Sequence, residues 1–184
     1  MDYILLKDFF ANYSLPVLII ALFVGIMKFI LYKFIPTKTP KALMPYIPFI
    51  ISILLYLAYD MIFVLKAFSF NSNSLYAGVL SGSLSVVCFS ALKKIDSGRP
   101  LNVSQTVLLI EGMLHGFMSE NLLTQTAIEL EKVLEEGCTD QNLSDRVTST
   151  IKNNAYSLFS DDDLMRLALL IIQTVKSLKN NKNA

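Results

Sequence analysis

The sequence is poor in the residues on which metal sites, disulfides and most catalysis depend: it has two cysteines and one histidine among 184 residues. Cys88 and Cys138 form neither a disulfide framework nor a metal-ligand spacing. No second ligand accompanies His115, and no phosphate loop, nucleophile elbow, H-E-x-x-H or C-x-x-C motif is present. The sequence therefore predicts no catalytic residue, no metal and no cofactor, and a protein that is not an enzyme.

Charged residues are also scarce, at 17%, whereas 53% of the residues are hydrophobic, a balance typical of membrane proteins. Residues 1–99 carry nine Lys or Arg against four Asp or Glu, a net of +5, and residues 100–184 carry seven against eleven, a net of −4. This contrast predicts a membrane domain, residues 1–99, followed by an acidic cytoplasmic domain, residues 100–184. The negative surplus argues against nucleic acid as a partner, because phosphate binding needs clustered Lys and Arg.

Three apolar segments, at about residues 15–35, 47–66 and 75–92, each approach the ~20 residues with which a helix crosses a bilayer. IPTKTPKALMP separates the first pair and SFNSNS the second, and both are rich in turn-forming residues. The amino terminus has neither a basic start nor a small-residue cleavage site, so we expect the first span to be retained.

Positive charges cluster after the first and third spans. By the positive-inside bias, this predicts a multi-pass protein of the inner (cytoplasmic) membrane, with the amino terminus outside and the carboxyl terminus in the cytoplasm. The residues that set this orientation are Lys33, Lys38, Lys41, Lys93, Lys94 and Arg99.

Two charges fall within the predicted spans. Lys28 lies near the cytoplasmic end of its helix, where a long side chain can carry the ammonium to the interface. Asp60 is a functional candidate by default, and its structural alternative is a carboxyl that is protonated or hydrogen-bonded to a nearby Tyr or Ser. A direct pair between Lys28 and Asp60 requires helix tilt or a shifted register.

Small residues occupy one side of the third span. Three roles compete for this strip: packing against the first two spans, a seam between identical chains that builds a homo-oligomer, and the lining of an aqueous path. The seven residues of this helix-packing or oligomerisation strip are Ser74, Ala77, Gly78, Ser81, Gly82, Ser85 and Cys88.

The second half shows helical periodicity at about residues 103–118, 120–136 and 143–156 and from Ser160 onwards. Ser119 is a candidate cap for the second of these helices and Gly137 a stop, while the acidic run after Ser160 is explained by helix capping. The fold class expected is all-α, with three transmembrane helices followed by a small cytoplasmic bundle of about four helices.

The three spans, the outside amino terminus and the segment LYAGVLSGSLSVVCFSALKK together resemble the three-helix holins of bacteriophages, over residues 1–99 only. The resemblance implies spans that self-associate until they permeabilise the cytoplasmic membrane. The acidic helical half departs from the short basic tail of that family. Permeabilisation remains the first interpretation, and this departure raises an alternative: a membrane anchor or scaffold whose cytoplasmic helices recruit a protein partner or build an oligomeric complex. A minor subunit of a transport complex using Asp60 is a third interpretation.

Overall fold

The computed structural model describes residues 13–34, 44–65, 72–98, 101, 103–136 and 140–182. Within these ranges the chain forms seven α-helices and no strand, which confirms the all-α fold. A π-helical segment, Asp60–Leu65, continues the second helix. The helices are α1 Leu15–Phe34, α2 Ile47–Tyr59, α3 Ser72–Asp96, α4 Gln105–Leu114, α5 Glu120–Glu135, α6 Asp140–Asn154 and α7 Asp161–Lys182.

Among the described residues, two helices and not the expected three are long and apolar enough to cross a membrane. They are Leu15–Lys33, with a mean hydropathy of 2.4, and α3, with 1.7. The segment expected to span at residues 47–66 forms a shorter apolar helix, Ile47–Phe63. At 1.5 Å per residue this helix is about 25 Å long, less than the ~30 Å hydrocarbon layer. Its hydrogen bonding also changes from α to π at Asp60.

The centre of the bundle is α3, which α1, α2, α4 and α7 all contact. Every residue from Leu80 to Ser90 is buried. Gly25 of α1 lies against Cys88 of α3, and Lys33 pairs with Asp96 further along both helices, so α1 and α3 are parallel. The helix α2 runs antiparallel to α3, because its later residues contact earlier positions of α3. Four neighbours thus enclose a helix whose composition alone suits a membrane span.

The helices α5 and α7 begin directly after the serines predicted to cap them. The Ser160 hydroxyl accepts a hydrogen bond from the Asp163 amide at 3.2 Å and so caps α7. Ser119 occupies the N-cap of α5, but its side chain makes no capping hydrogen bond. The helix expected at residues 103–118 ends earlier, at Leu114, because the backbone leaves the helical conformation at His115, with a ψ of 122°, and then turns at Gly116, with a φ of +95°. Gly137 lies outside the described residues.

One hydrophobic core runs through both halves of the described chain. Its cluster of buried side chains includes residues of α1, α2 and α3 together with residues of α4, α5, α6 and α7. The outer surfaces of the two halves differ. The exposed sides of α1 and α2 are apolar apart from Lys33 in the last turn of α1, whereas the exposed sides of α5 and α7 carry charges. The bundle therefore has an apolar flank and a charged flank.

Candidate functional site

The glycines of the small-residue strip let the backbone of α2 approach α3 closely. A β-carbon added at Gly78 would lie 2.8 Å from the Cα of Ile53, and one added at Gly82 would lie 2.8 Å from the Cα of Phe49. Such distances are well below van der Waals contact between carbons, so a larger residue at either position would force the two helices apart.

The rest of the strip lies mainly against α1 or satisfies its own polar groups. A β-carbon at Gly25 of α1 would lie 2.7 Å from that of Cys88. The hydroxyls of Ser81 and Ser85 donate to the carbonyls of Ala77 and Gly82 within α3, at 2.9 and 2.7 Å. These hydroxyls need no outside partner. A second copy of the chain reaches the buried part of this strip only by displacing α1 or α2.

Sequence reasoning did not single out Gly25. The sequence feature that could have pointed to it is the single glycine in the apolar run LFVGIM of α1. In the structure this glycine lies beside Cys88, the last residue of the small-residue strip. A glycine in one apolar helix has no interpretable partner until the register between the helices is known.

Asp60 contacts the first turn of α3. The hydroxyl of Ser74 donates a hydrogen bond to its carboxylate at the point where α2 becomes π-helical. Asp60 therefore makes the hydrogen bond to a serine that was one of its two predicted alternatives. Lys28 lies far from Asp60. Its ammonium is 4.4 Å from the ring centroid of Phe89, and Phe89 follows Ser74 by fifteen residues, or about 22 Å along α3. The two charges do not pair.

Ionisable side chains gather where the carboxyl-terminal end of α3 meets α4 and α5. We call Lys93, Lys94, Glu111 and Glu120 the charged cluster. The Lys93 ammonium donates to the Glu120 carboxylate. The Lys94 nitrogen lies 3.0 Å from Glu111 Oε1, outside hydrogen-bonding geometry, so this contact is chiefly ionic.

The pair of Lys94 and Glu111 is the most deeply placed ion pair of the described residues. The two side chains are only 10% and 7% exposed. Removing two charges from water is costly, and their mutual attraction offsets that cost only while both are present. Glu111 was missed by sequence reasoning, although a single carboxylate within the apolar run VLLIEGML was a visible signal.

His115 follows α4 and lies between aromatic rings, 5.1 Å from that of Tyr32 and 5.6 Å from that of Phe89 between centroids. Burial, reinforced by the positive charges of Lys93 and Lys28, lowers its pKa to about 4, although Glu120 acts in the opposite direction. The imidazole is therefore neutral at pH 7. Its nearest carboxylate oxygen, on Glu120, lies 3.9 Å from Nε2.

Three of the predicted orientation-setting residues make ion pairs. Lys33 bonds to Asp96 at 2.7 Å on the exposed surface, and Lys93 and Lys94 belong to the charged cluster. The other three, Lys38, Lys41 and Arg99, lie outside the described residues, as does Cys138.

Many large hydrophobic side chains are exposed on α1, on α2 and on the π-helical segment that continues α2, and α1 and α2 contact each other. Phe23 is 58% exposed and Leu54 is 62% exposed. From Leu15 to Tyr32 of α1, no exposed residue is charged, since Lys28 turns inward to Phe89. We call this surface the apolar face, made of Leu15, Ile19, Leu22, Phe23, Ile26 and Ile30 of α1, Ile50 and Leu54 of α2, and Ile62 and Phe63 of the π-helical segment.

A cavity of about 100 Å³ lies between α1, α2 and α3. Its walls are mostly apolar, with Lys28, Tyr32 and His115 as its ionisable members. In the part of the chain that the structure describes, no group of three or more His, Cys, Asp or Glu side chains is placed to hold a metal ion.

Comparisons of the chain with protein-family models, with curated proteins and with solved structures find no match.

Proposed function

We propose that the protein is a membrane anchor or scaffold. The apolar face of α1 and α2 holds the bundle to a bilayer, and the charged helices α5 and α7 remain in the cytoplasm, where they offer a surface to a protein partner. The observation that carries this proposal is the length of the apolar face: from Leu15 to Ile30, about 22 Å of α1, its exposed side chains are all apolar.

Water is a poor environment for such a surface. Folded monomers rarely leave contiguous apolar patches larger than a few hundred Å² exposed, and larger patches mark contacts with proteins or membranes. Each large side chain moved from water into hydrocarbon contributes about 1.5–3 kcal/mol when fully transferred. The ten side chains of the apolar face therefore supply ample free energy for binding to lipid.

The anchor is favoured over holin-like permeabilisation by the position of the small-residue strip. Permeabilisation through this strip requires it to face another copy or water. Gly78 and Gly82 instead lie against α2, and Cys88 lies against α1. The folded helices of the second half, which share the core of the first, also suit a scaffold.

The two functions are separated by expressing the full chain in bacterial cells that carry a voltage-sensitive dye. For an anchor we expect the chain in the membrane fraction after a high-salt wash, with the membrane potential unchanged over the period of expression. Abrupt depolarisation would support permeabilisation instead. Recovery of the chain in the high-speed supernatant would contradict both functions.

A further inference from the structure

The helix α7 lies alongside α3 over much of its length. Near the start of α7, the ring of Phe159 stacks on that of Phe117, with 4.2 Å between centroids. Phe117 lies two residues after His115, whose ring contacts Phe89 in the carboxyl-terminal half of α3. Near the end of α7, the backbone carbonyl of Ser177 accepts a hydrogen bond from the Tyr76 hydroxyl, at the amino-terminal end of α3. The two helices are therefore antiparallel, and α7 does not lie beyond either end of α3.

The exposed side of α7 carries charge near its start, at Arg166 and near its end, and the uncharged Met165, Leu169 and Gln173 are exposed between these positions. The charges of Arg166 and Asp163 are close enough to act on the hydroxyl of Tyr46. Tyr46 lies about one helical turn before Phe49, the residue of α2 that contacts Gly82 of α3. This places Arg166 beside the middle of α3. The exposed charged residues of α7 are Asp161, Asp162, Arg166, Lys176 and Lys179.

A bundle surrounded by lipid would place these charges in hydrocarbon. If α3 stood perpendicular to the bilayer in this fold, Arg166 would lie near the bilayer centre, and a charge there costs about 2.5–3.5 kcal/mol or more. The apolar face and the charged flank occupy the same length of α3 on different sides of it. Only one side of the folded bundle is suited to lipid.

We infer that the folded bundle binds the bilayer from one side, with the apolar face sunk into the interface and α1, α2 and α3 lying along the membrane plane instead of crossing it. This inference deepens the proposed anchor and rests on it. An amphipathic surface of this kind enters the headgroup and acyl boundary to a depth of about 5–10 Å.

The border of the apolar face suits a lipid interface better than a second copy of the chain. At one end, the ammonium groups of Lys33 and Lys93 lie 5.7 Å from the ring of Phe29 and 5.1 Å from that of Tyr32, and their ion pairs with Asp96 and Glu120 place a polar border there that suits the headgroup layer. Interfaces between copies of a chain are on average only about 65% apolar, whereas no exposed residue of α1 from Leu15 to Tyr32 is charged, a composition that suits hydrocarbon better.

The orientation is tested at the two ends of α3. Single cysteines replace the exposed Ser72 and Ser97, one at a time, in a full-length chain that carries Cys88→Ala and Cys138→Ser. Right-side-out and inverted vesicles from expressing cells are treated with a membrane-impermeant maleimide. We expect both positions to be labelled in inverted vesicles and neither in intact right-side-out vesicles. Labelling of the two ends from opposite sides would overturn the in-plane arrangement while leaving the anchor in place.

A depth profile along α1 provides an independent readout. Fluorophores on Leu15→Cys, Phe23→Cys and Ile30→Cys in the same background are quenched by brominated lipids. For a helix in the membrane plane we expect the three depths to agree within a few Å. A crossing helix would place Phe23 deeper than the two flanking positions by about 10 Å, at 1.5 Å per residue.

A second copy of the chain is the competing occupant of the apolar face. If the chain fails to associate with vesicles and Phe23→Cys instead forms a disulfide-linked dimer in solution, the bilayer is excluded as the occupant. That result would overturn the in-plane inference and the anchor together, and it is thus distinguishable from labelling on opposite sides.

Discussion

At the scale of single residues, the most constrained part of the molecule is the junction of α3, α4 and α5, where four charged side chains and a histidine meet. Lys94 and Glu111 are buried together, and their charges offset each other across 3.0 Å. His115 sits beside them in its neutral form, between two aromatic rings. Both arrangements lead to measurable effects on stability.

Removing one partner of the buried pair should be far more damaging than removing both. Glu111→Leu leaves the Lys94 ammonium buried without a counter-charge, and we expect a loss of about 3–5 kcal/mol in the free energy of unfolding. The double variant Glu111→Leu with Lys94→Met has no buried charge and should lie within about 1–2 kcal/mol of the parent. Thermal unfolding in a mild detergent measures both, and equal losses for the single and double variants would contradict the pairing.

The depressed pKa of His115 makes the stability of the fold depend on pH in a defined window. Below about pH 6.5 the unfolded chain binds a proton on this imidazole, whereas the folded chain does so only near pH 4. Stability from this residue is complete above pH 6.5 and is lost as the pH falls towards 4, by up to about 3 kcal/mol in total.

His115→Phe preserves an aromatic ring between Tyr32 and Phe89 and removes the titration. Unfolding free energies of the parent and of this variant, compared at pH 7 and pH 4.5, isolate the contribution of the imidazole, because the other titrating groups are common to both. We expect the parent to lose more stability on acidification than the variant. Equal losses in the two proteins would show that the imidazole is not shielded from protonation.

At the scale of helices, the close packing of α2 against α3 depends on glycine. Gly82→Leu would drive a branched side chain into the backbone of α2 at Phe49. We expect the free energy of unfolding to fall by about 1–3 kcal/mol or more. Ser72→Leu, at the exposed start of α3, is the matched control and should be near the parent in thermal unfolding. An unchanged midpoint for Gly82→Leu would refute the close approach of the two helices.

Sequence patterns predicted the bounds of the helices better than they predicted which helices pack against each other. Periodicity and capping residues located α5, α6 and α7 to within a few residues, because a cap such as Ser160 acts on its own first turn. The π-helical segment that begins at Asp60, and with it the shortened helix α2, could not be predicted, because π hydrogen bonding has no short sequence signature. Periodicity shows which side of a helix is buried and not what covers it. The contacts of α4 and α7 with α3 therefore required the three-dimensional structure.

At the scale of the whole molecule, the division of charge along the sequence corresponds to a division across the bundle. The helices of the first half supply the apolar face, and α5 and α7 of the acidic second half supply exposed charges. Both surround one core, in which α3 is enclosed. A molecule with two such different flanks is suited to lie between a lipid phase and water, which is the basis of the proposed anchor.

The most direct test of this account is flotation of the purified chain with lipid vesicles after detergent removal, using two charge variants that differ only in the flank they alter. Ile19→Lys with Leu54→Lys places two ammonium groups on the apolar face, at side chains that are 58% and 62% exposed. Met165→Lys with Leu169→Lys does the same on α7, at side chains that are 46% and 43% exposed.

We expect the α7 variant to float with the vesicles as the parent does, and the variant of the apolar face to bind at least about tenfold more weakly, a difference of about 1.4 kcal/mol. If the variant of the apolar face floats like the parent while the α7 variant is lost from the vesicle fraction, the membrane-binding surface has been assigned to the wrong side of the bundle.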